Sequence, residues 1–209
     1  MNSSSITRER NRRGEGAKLG DEILAAAVGL LDETGSEEAI TLRAVARRVG
    51  ISAPSIYAHF PDAEAIVREI VRNTFADLTV ALVAARDAES EPLRRLRAGC
   101  QAYLDFAAAE PNRYRILFHC PMLDAGTEVV SVADLVGSNA FGTLVDGIAD
   151  CIAAGLSPST DPFFDAVALW TALHGYASLQ ADSPNFPWPP HAALLDALTS
   201  RLALVPKPV

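Results

Sequence analysis

Apolar side chains recur every three or four residues along most of this sequence, which is the period of an α-helix. In the first clear example, Ile23, Ala27 and Leu31 fall on one face, and Gly35 follows as a stop signal. No segment alternates apolar and polar residues with the two-residue period of a strand. The chain is therefore predicted to be all-α, and its first helix to run from Ala17 to Thr34.

Proline, glycine and capping residues divide the rest of the chain into further helices. Thr41 and Gly50 are predicted to begin and end a short second helix, and Ser52 to cap a third, with Pro54 in its first turn. Four prolines between Ala181 and Pro190 predict a stiff connector before the last helix. The longer predicted helices are Asp62 to Ala88, Pro92 to Ala109, Asn112 to Phe118, Thr127 to Gly155, Pro162 to Gln180 and His191 to Ala203.

The charges of the chain are unevenly distributed. The 209 residues carry a formal net charge of −8, yet the segment from Thr41 to Phe60 contains three arginines and not one Asp or Glu. The first 20 residues have five basic and two acidic side chains, whereas residues 73–209 have eight basic and 15 acidic ones. A net acidic surface argues against a protein that coats nucleic acid, while an acid-free segment suits contact with phosphates at one place.

The second and third predicted helices have the spacing of a helix-turn-helix. Ala46 lies four residues before Gly50, where a small side chain allows the two helices to cross closely. Pairs of short helices joined by a glycine turn also occur in all-α proteins that do not bind DNA, so spacing alone leaves both interpretations open. The residues predicted to face a DNA groove are Ser52, Ala53, Ser55, Tyr57 and His59, with Thr41 and Arg43 near the entrance.

The string TLRAVARRVGISAPSIYAHFPDAEAI resembles the DNA-binding segment of the TetR family of transcriptional regulators, in which the helix-turn-helix ends in a Tyr-x-His-Phe tetrad. In this chain the tetrad occupies residues 57–60, and the resemblance covers about Ala17 to Ile66. It implies that Tyr57 and His59 contact phosphates and that Arg43 approaches the groove from the second helix. It also implies that the bases or the DNA backbone are faced by Ser52, Ala53, Pro54 and Ser55.

One position departs from the family pattern. Members often have Lys just after the tetrad, at the start of the fourth helix, where this chain has Ala63. One phosphate contact is therefore expected to be missing. This departure leaves room for an alternative, in which the helix-turn-helix does not read DNA and the C-terminal helices form a protein-interaction module.

Two segments of the second half resemble the Trp-His-Gly type of TetR C-terminal domain. They are PNRYRILF, residues 111–118, and LWTALHGYASL, residues 169–179, which contains Trp170, His174 and Gly175. The resemblance implies that the C-terminal helices bind a small effector and form a homodimer. The predicted helices 127–155 and 162–180, whose Ala- and Gly-rich faces allow close four-helix packing, are the expected dimer interface.

An effector site in the C-terminal half would be lined mainly by aromatic side chains. His119 or His174 would add polarity to such a site. Aromatic residues at helical spacing also form ordinary hydrophobic cores, and a lone histidine among them is more often a core residue than a ligand contact. The candidate aromatic residues are Tyr103, Phe106, Tyr114, Phe118, Phe141 and Trp170.

No metal ion and no cofactor are predicted. His119 stands next to Cys120, but no two potential ligands have the i, i+4 or Cys-x-x-Cys spacing that zinc sites favour. The three cysteines, Cys100, Cys120 and Cys151, are odd in number and widely spaced, which predicts reduced, buried thiols rather than disulfides.

An enzyme is not predicted either, because the sequence has no Gly-rich phosphate loop after a strand and no Gly-x-Ser-x-Gly motif. An all-α enzyme remains the less favoured alternative. No apolar run approaches the roughly 20 residues that cross a bilayer, and no apolar segment of the signal-peptide type follows the basic first residues. A cytoplasmic location without membrane contact is therefore expected.

The sequence and its resemblance together predict a TetR-like one-component transcriptional regulator, a repressor that binds a palindromic double-stranded DNA operator as a homodimer. A small apolar effector is expected to release the DNA. Three parts are predicted: a flexible basic arm at 1–16, a three-helix helix-turn-helix DNA-binding domain at 17–62, and a helical bundle for effector binding and dimerisation at 63–209.

Overall fold

A computed structural model of the protein describes residues 16–119 and 138–206. These residues form nine α-helices and one 3₁₀ turn and contain no strand, which confirms the all-α prediction. The arm before residue 16, the side chain of His119, Cys120 and the first part of the helix predicted at 127–155 lie outside the described part of the chain. The elements are α1 (Gly16–Thr34), the 3₁₀ turn (Glu37–Ala39), α2 (Leu42–Val49), α3 (Ala53–Ile56), α4 (Ala63–Asp87), α5 (Pro92–Ala109), α6 (Pro111–His119), α7 (Ser138–Ala153), α8 (Pro162–Asp182) and α9 (His191–Leu202).

Helix α2 begins and ends at the residues that its caps predict. The Thr41 hydroxyl accepts a hydrogen bond from the Ala44 amide at 3.1 Å, which satisfies an amide that has no partner within the helix. Gly50 has φ 78° and ψ 32°, a left-handed conformation, and its amide donates to the Ala46 carbonyl at 2.9 Å. A side chain other than hydrogen is strained at this φ, so glycine ends the helix and turns the chain towards α3.

Helix α3 begins directly after Ser52, its predicted capping residue, and has Pro54 in its first turn. Ser52 has the extended backbone of a capping residue, but its side chain caps no amide. Pro54 has no N–H to offer, and the Ser55 amide donates to the Ser52 carbonyl at 2.9 Å. Ser52 is thus the N-cap residue, as predicted, but its hydroxyl shares a hydrogen bond of 2.7 Å with the Ser55 hydroxyl instead of capping an amide.

The described residues form two compact units, one of residues 16–71 and 116–119 and one of residues 72–115 and 138–206. The boundary falls within α4 and again within α6. Large side chains with relative exposure of 2 % or less fill each unit. In the first unit they include Ile23, Leu31, Val45, Ile56 and Ile66, and in the second Leu78, Leu96, Ile148, Leu169 and Leu173.

Helix α8 runs to Asp182 and so extends two residues into the segment predicted as a connector. The Ser183 amide still donates to the Leu179 carbonyl at 2.9 Å, and Pro184 then prevents a further turn. The remaining connector folds back on itself, since the Trp188 indole N–H donates to the Ser183 carbonyl at 3.0 Å. None of the described helices is long and apolar enough to cross a membrane.

Candidate nucleic-acid interface and effector site

The two helices of the helix-turn-helix are joined by a tight turn. The amides of Gly50 and Ile51 both donate to the Ala46 carbonyl, at 2.9 and 3.0 Å. Val45 of α2 and Ile56 of α3 are fully buried, so each helix presents its apolar side to the first unit. The opposite side of α3 is thereby left open to solvent.

The residues predicted to face DNA lie on this open side or beside it. Tyr57 is the most prominent, with 61 % of its surface exposed. Ala53, Ser55 and His59 are half-buried. The remaining predicted contacts are all exposed: Thr41, Arg43, Ser52 and Pro54.

Tyr57 and His59 lie just beyond the last helical residue of α3 rather than within the helix. The His59 amide donates to the Ile56 carbonyl at 2.8 Å, which keeps the chain in a helix-like turn. The His59 ring lies beside α1, because a Cβ added to Gly20 would be 3.7 Å from its Nδ1 atom. The half-buried His59 ring therefore packs beside α1, whereas the Tyr57 ring extends into solvent.

The three arginines of the acid-free segment have different surroundings. Arg43 and Arg47 are exposed and form no ion pair within the described part of the chain. Arg48 donates from Nη1 and Nη2 to both carboxylate oxygens of Glu33, at 2.7 and 2.8 Å. No sequence pattern indicated this pairing, because Glu33 lies in α1, 15 residues before Arg48 and outside the acid-free segment.

The start of α4 is acidic on both sides of Ala63, the position where the family pattern predicts Lys. The Asp62 carboxylate accepts a hydrogen bond from the Ala65 amide at 2.6 Å and so occupies the positive end of the helix. Arg68 forms an ion pair with Glu64 at 2.8 Å and lies 3.8 Å from Asp62. Ala63, between Asp62 and Glu64, carries no charge, so the start of this helix is poorly suited to bind a DNA phosphate.

In the second unit, five of the predicted effector-site residues form one continuous cluster. The Tyr103 and Tyr114 hydroxyls are 2.8 Å apart, and the Tyr114 hydroxyl is 2.7 Å from Nδ1 of His174. Trp170 stacks on His174 with ring centroids 6.0 Å apart. Phe141 meets Trp170 edge to face at 6.1 Å, which extends the cluster from α5 and α6 through α8 to α7.

Burial sets the protonation of the two phenols. It raises the pKa of Tyr103 to about 12, although a hydrogen bond to Tyr114 opposes this shift. Burial is also the main cause of a higher pKa for Tyr114, and the neighbouring Tyr103 adds to it. Both hydroxyls therefore stay neutral over the physiological range and can donate or accept hydrogen bonds.

Of the second unit's predicted residues, one has no ring contact with this cluster, and one unpredicted residue joins the cluster. Phe106 of α5 is half-buried and has no ring contact with the cluster, and Phe118 belongs to the first unit. Phe163 meets Phe141 edge to face with centroids 5.6 Å apart. The only sequence signal for Phe163 was its place at the start of α8, two positions after the Asp161 cap.

The cysteine prediction is confirmed for the two thiols that lie within the described residues. Cys100 and Cys151 are free and buried. Burial raises the pKa of Cys100 to about 12, so this thiol is unreactive at neutral pH. Within residues 16–119 and 138–206, no three His, Cys, Asp or Glu side chains are grouped closely enough to hold a metal ion.

The comparisons with known proteins concern both halves of the chain. The family described as "Bacterial regulatory proteins, tetR family" matches residues 23–70, and the one described as "Tetracyclin repressor-like, C-terminal domain" matches residues 96–202.

Individual relatives are distant. The nucleoid occlusion factor SlmA of Vibrio atlanticus is 31 % identical over 53 % of this chain, and the match covers 53 % of SlmA, about half its length. An uncharacterised HTH-type transcriptional regulator of Mycobacterium tuberculosis is 28 % identical over 78 % of this chain and 71 % of its own length. A solved structure of a Rhodococcus protein of unknown function has a TM-score of 0.73 at 24 % identity, and the alignment covers 92 % of this chain and 95 % of that one.

Proposed function

The chain belongs to the TetR family of bacterial regulatory proteins, and from this we propose that it is a one-component transcriptional repressor that binds a palindromic operator as a homodimer. Each protomer inserts α3 into the major groove of one half-site. The observation that carries the proposal is the open side of α3, where Ser52, Pro54 and Tyr57 are exposed next to two arginines with no acidic partner in the described part of the chain.

The charge distribution supports this placement of the DNA. Arg43 and Arg47 are exposed on α2 of the helix-turn-helix, and the segment from Thr41 to Phe60 contains no Asp or Glu. The C-terminal two thirds of the chain are acidic and repel the phosphate backbone, so the helix-turn-helix surface is the one that attracts it. The protein meets DNA in the cytoplasm and needs neither a cofactor nor a catalytic step.

The aromatic cluster of the second unit is the proposed effector site. Tyr103 and Tyr114 supply neutral hydroxyls and His174 a ring nitrogen, while Phe141 and Trp170 supply apolar surface. Since none of these five residues is Asp, Glu, Lys or Arg, the site suits a small, uncharged and largely apolar effector. Effector binding releases DNA only if the effector binds more tightly to the dimer whose α3 helices are wrongly spaced. Helix α4, which is shared by the two units, is the proposed lever.

The exposed face of α8 is the proposed contact between protomers, together with α7. Phe164, Val167 and Leu179 are 67 %, 37 % and 55 % exposed, which is unusual for apolar side chains on one helix face. A Cβ added to Gly175, between them along the helix, would meet no atom within 4 Å. Among the described residues of one protomer nothing covers this face, and two copies related by a two-fold axis would bury it.

The proposal is tested by fluorescence anisotropy of the protein with the DNA that flanks its own gene, at two salt concentrations, beside random DNA of equal length. We expect tight binding to the flanking DNA alone, and an affinity that falls steeply as salt rises. Tyr57→Phe, which removes one exposed hydroxyl, is expected to weaken binding to all sequences while the helical content and dimer mass stay unchanged.

The acidic start of α4 favours a second candidate function. Asp62 and Glu64 flank Ala63, the position where the family pattern has a Lys, and a helix-turn-helix without that phosphate contact could serve a protein-interaction module. Equal, weak binding to flanking and random DNA would favour this alternative. An affinity that Tyr57→Phe leaves unchanged would remove Tyr57 from the proposed contacts.

A further inference from the structure

The Arg48 guanidinium is held in place from α1. Both of its terminal nitrogens donate to the Glu33 carboxylate, at 2.7 and 2.8 Å, in the paired geometry that fixes a guanidinium in one plane. Arg48 stands in the last turn of α2, and Glu33 in the last turn of α1. The pair therefore joins the two helices near their C-terminal ends, and α2 leads from there into the turn to α3.

Gly29 provides a second support for this guanidinium. A Cβ added to Gly29 would lie 2.7 Å from Nη2 of Arg48 and 3.1 Å from its Cζ. The guanidinium thus rests against the α1 backbone in a space that only glycine leaves open. Gly20 of the same helix differs, since a Cβ there would have an ordinary contact at 3.7 Å.

The pairing changes the charge that the helix-turn-helix offers to DNA. The hydrogen bond and the charge of Arg48 lower the pKa of Glu33, and the hydrogen bond of Glu33 raises the pKa of Arg48, so both groups stay ionised. One of the three positive charges between Thr41 and Phe60 is therefore neutralised within the protein. The two side chains are 37 % and 60 % exposed, and an ion pair so open to water adds little to folding stability. The pair therefore matters less for folding stability than for where the end of α2 lies against α1.

We propose that Arg48 is a positioning residue for DNA recognition and not a phosphate contact. Held by Glu33 and seated on Gly29, it fixes the end of α2 against α1 and thereby the angle at which α3 meets the groove. Arg43 and Arg47, which have no such partner in the described part of the chain, carry the attraction to phosphates. This role for Arg48 depends on the DNA-binding function proposed above.

Glu33→Gln separates the two roles because they predict effects of opposite sign. If Arg48 positions α3, loss of its partner weakens operator binding, by about two- to fivefold for a pair of this exposure. If Arg48 contacts phosphate, removal of a competing negative charge strengthens binding and steepens its salt dependence. We expect weaker binding with an unchanged slope of log affinity against log salt, measured by fluorescence anisotropy on the operator.

Arg48→Lys extends the test, since it keeps the charge but cannot form the planar paired contact. We expect it to weaken binding as much as Glu33→Gln does. Gly29→Ala is expected to do the same by displacing the guanidinium, which is a flexible side-chain end. Arg43→Gln is the comparison for a residue that does contact phosphate. It is expected to make the slope of log affinity against log salt concentration shallower by about 0.9.

Circular dichroism and thermal melting of each variant show whether the protein is still folded, and a variant that is unfolded is replaced by the next in this series. Full affinity in Arg48→Lys, or tighter binding in Glu33→Gln, would overturn the positioning role. Failure of the wild-type protein and of Arg43→Gln to show any salt-dependent operator binding would instead overturn the proposed function itself. The two failures are therefore distinct.

Discussion

At the scale of single residues, the two buried phenols of the second unit make the folding stability of the protein depend on pH. Tyr103 and Tyr114 are 7 % and 5 % exposed, and each hydroxyl finds its hydrogen-bond partner inside the protein. A phenolate at either position would be a negative charge shielded from water, which burial disfavours. The folded protein therefore retains these two protons at a pH where the unfolded chain loses them.

We expect the protein to lose stability in alkali. The pKa of Tyr103 is about 12 in the folded protein against 10.0 ordinarily, so between these values the unfolded chain binds fewer protons and the free energy of unfolding falls as pH rises. At pH 10.5 the loss is expected to be about 1 kcal/mol per such group. Urea unfolding from pH 8 to pH 11 measures it.

Tyr103→Phe removes this titrating group and is expected to make the decline shallower. Leu104→Val, a change of the adjacent buried residue that alters no titrating group, is the control and should keep the wild-type slope. A decline that is equally steep in Tyr103→Phe would contradict the assignment of this effect to the Tyr103 phenol.

At the scale of the helices, two glycines with the same amount of free space are expected to respond in opposite ways to alanine. A Cβ at Gly50 or at Gly142 would meet no atom within 4 Å. Gly50 has φ 78°, whereas Gly142 lies inside α7 without a positive φ. Any difference between them therefore comes from the backbone conformation and not from packing.

Gly50→Ala is expected to lower the free energy of unfolding by about 1 to 2 kcal/mol, because a left-handed conformation strains an L side chain. Gly142→Ala is expected to raise it by up to about 1 kcal/mol, because alanine favours the helix that glycine opposes. Thermal unfolding at one fixed protomer concentration measures both. Shifts of the same sign in the two variants would show that backbone conformation does not decide the effect.

The helices also show how far the sequence determines the fold and the site. The local patterns at Thr41 and Gly50 are sufficient to place α2 to the residue, because capping depends on neighbours three or four positions away. Ser52 is likewise the capping residue of α3, but its hydroxyl forms no cap bond, because the Ser55 amide three positions on donates to the Ser52 carbonyl. The Glu33–Arg48 pair and the contact of Phe163 with Phe141 join residues of different helices, and no local pattern specifies which helix faces lie together.

For the whole molecule, the exposed face of α8 leads to a prediction about assembly. Phe164→Glu places a charge on an apolar side chain that is 67 % exposed in one protomer. If this face is the dimer contact, the charge is buried on association without a partner, and the variant should elute as a monomer. Light scattering after size-exclusion chromatography measures the mass. Affinity for an operator with two half-sites should fall when the dimer is lost.

Val80→Glu is the matched control for this experiment. Val80 of α4 is 69 % exposed, so the substitution introduces the same charge at an equally open apolar position outside the proposed contact. We expect this variant to have the mass of the wild-type dimer. A wild-type monomer at micromolar concentration, or a dimeric Phe164→Glu variant, would contradict the proposed interface.

The positions of the two tryptophans give the second unit its own optical probes. The chain has two tryptophans; Trp170 stacks on His174 at 6.0 Å within the aromatic cluster, and Trp188 meets Tyr176 edge to face at 5.4 Å beside the proline-rich connector. Each fluoresces in a different environment, and each can be removed singly by substitution with Phe. Intrinsic emission can therefore follow occupancy of the cluster and movement of the connector separately, in unlabelled protein.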